Sequence, residues 1–167
     1  LAAEQAPKGK EKQVVVKETG SVNELTIENV SNVEVYVQAG DIVKGGRQDR
    51  TLQSALILPP KSGSVPVASH CVEQGRWTAR GAEAADRFSS SESKLAHKDL
   101  KLANLRGSQR DVWANVSSVQ SKLGRNLGTD VRGQQSASSL QLTLENERLR
   151  HNVAAHVRAL EGRVGRH

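Results

Sequence analysis

The chain has 167 residues, 36% of them apolar, which suits one domain with a core or one domain with a helical extension. One cysteine excludes an intrachain disulfide and a zinc cluster of thiolates, and no run of 18 apolar residues is present to form a membrane-spanning helix. The net charge of +6 is uneven: residues 1–100 carry 13 Lys+Arg and 13 Asp+Glu, whereas residues 101–167 carry 11 and 5.

A basic last third can attract nucleic acid or an acidic membrane surface. Its arginines are scattered, however (Arg106, Arg110, Arg125, Arg132, Arg148, Arg150, Arg158, Arg163 and Arg166), and a single aromatic, Trp113, lies among them, too few for a stacking platform. They read as solvated helix faces, and nucleic acid is disfavoured as a partner. Aromatic anchors are scarce, and Met is absent, so Val, Leu, Ile and Ala must fill the core. Each of Tyr36, Trp77, Phe88 and Trp113 is therefore expected to be structural.

In chain order, residues 1–13 are polar and Lys-rich, with one helical turn expected over Ala2–Ala6 before Pro7. Val14–Glu18 is a β-branched run and reads as a strand. Asn23–Asn29 alternates with Leu25 and Ile27 on one face, Ser31-Asn32 turns, and Val33, Val35 and Val37 alternate again; the pair reads as a β-hairpin. Ile42-Val43, Thr51–Leu58 and Ser64–Val72 are further strands, separated by Gly45-Gly46 and by Pro59-Pro60.

The second half changes period. Gly81–Phe88 and Lys94–Leu105 are helix-prone, with a Ser-rich loop at Ser89–Ser93 between them. Ser108 with Asp111 forms a capping-box start. Val112, Val116, Val119 and Leu123 then share a helical face, and Gly124 sits at the C-cap. Arg125–Ser138 reads as a loop, and Leu140, Leu142 and Leu144 alternate as in a strand or extended entry. Glu147–Glu161 is a helix with Leu149, Val153, Val157 and Leu160 on one side.

Two motifs stand out: GDIVKGGRQDR, Gly40–Arg50, and CVEQGRW, Cys71–Trp77. Gly45-Gly46 suits a positive-φ turn; a phosphate-cradling loop is the weaker reading, since no Walker-type Lys-Ser/Thr and no helix start follow. Asp41, Gln48, Asp49, Arg50, Glu73, Arg76 and Trp77 are the candidate ligand-binding residues, for a small polar or anionic ligand. Asp41 and Arg47 to Arg50 are dense polar groups beside apolar strands. They form either a hydrogen-bonded network with Arg–carboxylate pairs or the wall of a pocket, and both can hold together. Crossed pairs, Arg50 with Glu73 or Arg76 with Asp49, are the expected ion pairs, and Trp77 is expected to cap the core.

Cys71 beside His70 invites a nucleophile-and-base reading. Neighbours on a strand point to opposite faces, so Cys71 reads instead as a small buried hydrophobe. His97, His151, His156 and His167 share no metal-ligand spacing, and neither a metal nor a cofactor is expected.

The two motifs, with ELTIENVSNVEVYVQA before them and FSSSES and SQRDVWANVSSVQSKLG after, resemble a bacterial family, the ARG-and-rhodanese-phosphatase-associated domain, over about Leu1–Leu160. The family has no established activity, so the resemblance implies little chemistry. Its members are stand-alone or envelope-associated proteins, some with signal peptides, which implies a secreted or periplasmic place. Members continue with a further apolar strand and a final helix where this chain stops at Arg166-His167, which implies a longer protein.

The expected fold is α+β: an N-terminal antiparallel β-sandwich or partial barrel of five or six short strands, residues 1–80, followed by three or four helices, residues 81–167, packed on it as one structural domain. The expected function is non-enzymatic binding of a ligand or a protein partner. The alternatives are a hydrolase-type enzyme with its site between the two motifs and, more weakly, nucleic-acid binding through the basic last third.

Overall fold

A computed structural model describes residues 13–164. Strands β1 (Val14–Glu18), β2 (Glu24–Asn29), β3 (Val35–Val37), β4 (Asp41–Gly45), β5 (Arg50–Leu52), β6 (Leu56–Leu58), β7 (Gly63–Cys71) and β8 (Arg87–Lys94) precede helices α1 (Lys98–Arg106), α2 (Gln109–Leu127), α3 (Leu140–Leu144) and α4 (Glu147–Val164). The architecture is α+β, strands first and helices after. Six strands form an antiparallel sheet closed on itself in the order β1-β2-β7-β5-β4-β8, and β3 pairs with β6 alone. The helical turn expected at Ala2–Ala6 and the terminal His167 lie outside the described residues.

Alternation builds the interior of the ring. Val14 and Val16, Leu25 and Ile27, Val43, Leu52, Val67 and Phe88 point inward and meet β3 and β6 through Val35, Val37 and Leu58. A second core lies between the sheet and the helices, where Ile42, Val72 and Leu95 meet Leu100, Val112, Val116 and Leu140. Ile42 and Val43 are consecutive and both fully buried, one in each core. The period of two turns β4 into a shared wall.

Several local expectations are corrected. The Asn23–Asn29 strand does not form a hairpin with Val33–Val37; β2 pairs with β1 and β7, and β3 pairs with β6. Asn29 is the cause. Its Oδ1 accepts from the Ser31 amide at 2.9 Å, while its Nδ2 donates to the carbonyls of Val33, Leu58 and Pro59 at 2.7, 3.1 and 2.9 Å. That clasp turns the chain out of the ring.

Gly81–Phe88 is not helical, and Ser89–Ser93 is not a loop: Arg87–Lys94 is the strand that closes the ring. Its serines conceal the alternation, yet Ser91 is buried and donates to Gln141 Oε1 at 2.6 Å. Leu140–Leu144 is a short helix capped by Ser139, which accepts from the Leu142 amide. The capping box of Ser108 and Asp111 is present, but α2 runs past Gly124 to a left-handed cap at Gly128.

Candidate functional site

The hairpin between β4 and β5 brings the two motifs together. Arg50 lies opposite Cys71 in the β5–β7 register, and Asp49 sits just before it at the mouth of the turn. Gly45 and Gly46 both have positive φ, as a turn this tight requires. The turn is filled by protein groups. The Gly45 amide donates to Asp49 Oδ1 at 3.0 Å, and Arg76 donates to the carbonyls of Gly45 and Gly46 at 3.2 and 3.0 Å.

Four charges interlock beneath it. Arg76 donates from Nε and Nη2 to the two oxygens of Glu73, each at 2.8 Å. Arg80 donates from Nη1 and Nη2 to the two oxygens of Asp49 at 2.8 and 3.0 Å. The Asp49 amide donates to Glu73 Oε2 at 3.0 Å, which couples the two forks. Asp49 and Glu73 have no exposed surface, and two guanidiniums balance their two carboxylates.

Around this centre, Ser139 donates to Asp49 Oδ2 at 2.7 Å and so ties the start of α3 to the turn. Arg80 reaches Glu83 at 3.0 Å, and Lys44 bridges Glu83 and Glu145 at 3.8 and 2.8 Å.

Electrostatics follow the geometry. Burial raises the Glu73 carboxyl pKa, but hydrogen bonds from Arg76, Ser136 and the Asp49 amide outweigh it and hold the group below the usual carboxylate range. Burial also opposes the charge on Arg80, and its bonds to Asp49 and then Glu83 more than offset this. For Cys71, burial dominates and pushes the thiol up to about 11; the charge of Arg50 opposes the shift, and Glu18 and Glu73 add to it.

Of the seven candidate residues, Asp49, Glu73 and Arg76 lie within the network. Arg50 is fully buried beside it but does not pair with Glu73; it donates to Glu18 Oε1 at 3.2 Å and to the carbonyls of Ser21 and Val22. Of the crossed pairs, Arg76–Asp49 forms, at 3.7 Å. The stronger Arg76 contact is to its own motif's Glu73, because Cys71–Trp77 leaves the strand at Val72 and turns.

Trp77 does not cap the core. It is 40% exposed, and the guanidiniums of Arg47 and Arg50 lie 5.5 and 5.8 Å from its ring centre. Tyr36 likewise lies on the surface. Gln48 is buried in the same turn, with no side-chain hydrogen bond to a described residue. Asp41 is at the opposite end of β4, where it accepts from the Gln38 amide at 3.1 Å and meets Lys94 at 3.4 Å.

Sequence reasoning missed Glu18, Arg80 and Ser139. Glu18 carried a signal, since it shares the inward face of β1 with Val14 and Val16. Arg80 carried none, because it stands in an irregular segment with no period to read.

The remaining chemistry is dispersed. His70 and Asn104 lie 3.2 Å apart, Nδ1 to Oδ1, on the face of β7 away from the Cys71 sulfur, which contacts the Val22 carbonyl at 3.8 Å. Among the described residues no three His, Cys, Asp or Glu side chains are grouped to hold a metal ion, and no helix is long and apolar enough to cross a membrane.

A surface groove lies elsewhere, between β8 and α4. A cavity of about 510 Å³ is walled by Leu144, Leu149, Val153 and Val157, with Lys94, Arg150 and Arg158 at its rim. It shares Lys94 and Leu144 with a second apolar cavity of about 340 Å³ that reaches Leu95, Leu100 and Leu123. Past Arg150, α4 stands in solvent: of residues 151–162 all but Ala154 are exposed, and Val153, Val157 and Leu160 are 50, 45 and 61% exposed.

No curated protein and no solved structure matches the chain. The profile of the ARG and Rhodanese-Phosphatase-superfamily-associated Protein domain matches residues 3–166, essentially the whole chain, and the protein belongs to that family.

Proposed function

We propose that the chain is a non-enzymatic interaction domain whose partner is an acidic amphipathic helix of another protein, seated in the groove between β8 and α4. One observation carries the reading: α4 has an apolar stripe, Leu149, Val153, Val157 and Leu160, of which the described residues bury only the first. A helix of about 12 residues is marginal in water without tertiary packing. The segment after Arg150 thus gains most from a partner that buries its stripe. The groove's rim carries Lys94, Arg150 and Arg158 against Glu92, so an acidic partner complements it.

A second copy of the chain fits less well. An antiparallel pair of α4 helices centred on Ala154 sets Arg150 against the other copy's Arg158.

A hydrolase-type site at the junction of the two motifs needs free carboxylates or an activated nucleophile in an open cleft. There Asp49 and Glu73 are spent on Arg80 and Arg76, and Cys71 is buried with a raised pKa. The network supports a scaffolding role, in which it pins the β4–β5 turn to α3 and leaves the surface for binding.

The test uses two designed helical peptides of about 18 residues with leucines at i, i+3, i+4 and i+7. One carries Glu on its flanks and the other Lys. The acidic peptide should bind the chain, and Val157→Glu should abolish the binding without changing the melting temperature. Equal binding of both peptides, or of the acidic peptide to the variant, overturns the proposal. A monomer–dimer equilibrium in sedimentation that Val157→Glu removes would assign the groove to a second copy instead.

A further inference from the structure

A separate cavity of about 270 Å³ opens where α2 faces the segment after β7 and the loop before α3. It shares no lining residue with the α4 groove and does not depend on the interaction reading. Trp113 and Val116 give it an apolar wall. The Trp113 Nε1–H is already committed to the Glu73 carbonyl at 3.1 Å, which fixes the ring's position and leaves its carbon surface for contact.

Three polar side chains on the rim and floor have unused capacity. The Arg132 guanidinium makes no hydrogen bond or ion pair to a described residue; its neighbour Asp130 turns its carboxylate to the Arg132 backbone amide at 3.0 Å. The Gln74 side chain is likewise unbonded among the described residues, although its backbone is held on both sides by the Ser138 hydroxyl at 3.0 and 2.7 Å. Gln120 is buried, and its amide nitrogen donates to Ala137 O at 2.9 Å, to Ser139 O at 3.4 Å and to Thr143 Oγ1 at 2.9 Å. Its Oε1 accepts from no described residue.

The arrangement is apolar on one wall, fixed at its floor, and cationic at its mouth. Its volume matches about nine waters at roughly 30 Å³ each, below the usual range for drug-sized ligands. We propose that this cavity binds a small organic carboxylate with an aromatic body, its ring against Trp113 and Val116 and its carboxylate on Arg132. A carboxylate gains a two-point, charge-assisted contact from a guanidinium that has no competing partner. The ring removes apolar surface of Trp113 and Val116 from water, and Gln74 can donate to the same carboxylate.

Trp113 supplies its own reporter, since the chain has two tryptophans and Trp77→Phe leaves Trp113 as the sole tryptophan. A thermal melt confirms that this background is folded, and the Trp113 indole N–H resonance in spectra of the unaltered chain gives a second readout. The probes are phenylacetate, its neutral isostere phenylacetamide, and acetate.

Phenylacetate should produce a saturable change. Phenylacetamide should bind roughly tenfold or more weakly, the loss of one charge-assisted contact, and Arg132→Gln should weaken phenylacetate by the same factor. Acetate should not saturate in the same range. The proposal fails if phenylacetate and phenylacetamide behave alike, if Arg132→Gln leaves phenylacetate binding intact, if acetate matches phenylacetate, or if neither readout saturates.

Discussion

Arg80 and Asp49 meet in a two-point ion pair, at 2.8 and 3.0 Å, across 31 residues of chain, with the Arg80 side chain 3% exposed and Asp49 fully enclosed. A carboxylate so enclosed cannot recruit water if its partner is removed. Arg80→Ala should therefore destabilise the fold by about 3–5 kcal/mol, as for other broken buried pairs. Urea unfolding checks this. Arg50→Ala, which strands Glu18 in the same way, should cost about as much, and an unchanged midpoint for both would remove the network from the scaffold.

Acid should unfold the protein through the same carboxylates. The folded-state pKa of Glu73 is lowered, so its contribution to stability is fully present above the unfolded-chain value, about 4.3. It is lost as pH falls through the folded value. Stability should be flat from pH 7 to about 5 on account of this group and then fall. Glu73→Gln, although less stable at pH 7, should show a shallower decline, and denaturant midpoints at several pH values give the slopes.

Cys71 should label slowly in the native protein. Raising its pKa from 9.0 to about 11 cuts the thiolate fraction about a hundredfold near neutrality, before its burial is counted. A disulfide reagent should react at a rate that tracks opening of the structure, and rise to that of a free thiol in denaturant. Labelling at the free-thiol rate in native buffer would revive a reactive cysteine.

The stripe on α4 should divide by energy as it does by exposure. Leu149→Ala removes a buried side chain and should cost about 2–4 kcal/mol. Val157→Ser, on the same face two turns later, should change stability by less than about 0.5 kcal/mol. Thermal melts of the two variants separate the packed end of the helix from the free end.

Gly46 should tolerate no side chain. Its φ is +54°, and an added Cβ would lie 2.3 Å from the Phe88 ring, inside contact distance of a core residue. Gly46→Ala should cost about 2–4 kcal/mol, strain and overpacking together. Gly20→Ala, with φ +83° and open space around it, should cost about 1 kcal/mol from backbone strain alone.

The strands that alternate branched apolar residues were legible: β1, β2 and β7 lie where Val14–Glu18, Asn23–Asn29 and Ser64–Val72 pointed. The strand β8 was not, because serine is neutral to both patterns and its inward position at Ser91 is justified only by Gln141, 50 residues later. The pairing of β3 was hidden for a related reason. Proximity suggested a hairpin, and one side chain, Asn29, redirects the strand through bonds to a segment 29 residues on.

At the site, the junction of the two motifs could be read from their place at the ends of neighbouring strands. Of its partner list only Glu18 could be read, from the inward face of β1; Arg80 and Ser139 enter from an irregular loop and a helix cap. Long-range ion pairs leave no period in a sequence.

Among the described residues β1 and β8 close the ring through two ladder pairs, Val16 with Phe88 and Lys17 with Arg87, and one further bond from the Glu18 amide to the Asp86 carbonyl at 3.0 Å, while β1 meets β2 through five pairs. The closing partners are 72 positions apart. During synthesis at about 5–20 residues per second, β1 and β2 emerge as a hairpin ending at Asn29 and wait roughly 3–12 s before Phe88 leaves the ribosome. Through that interval Val14, Val16, Leu25 and Ile27 have no interior to enter. The nascent chain thus presents a branched apolar hairpin with an unsealed edge, the kind of surface that holdase chaperones shield, and slower translation lengthens its exposure in proportion.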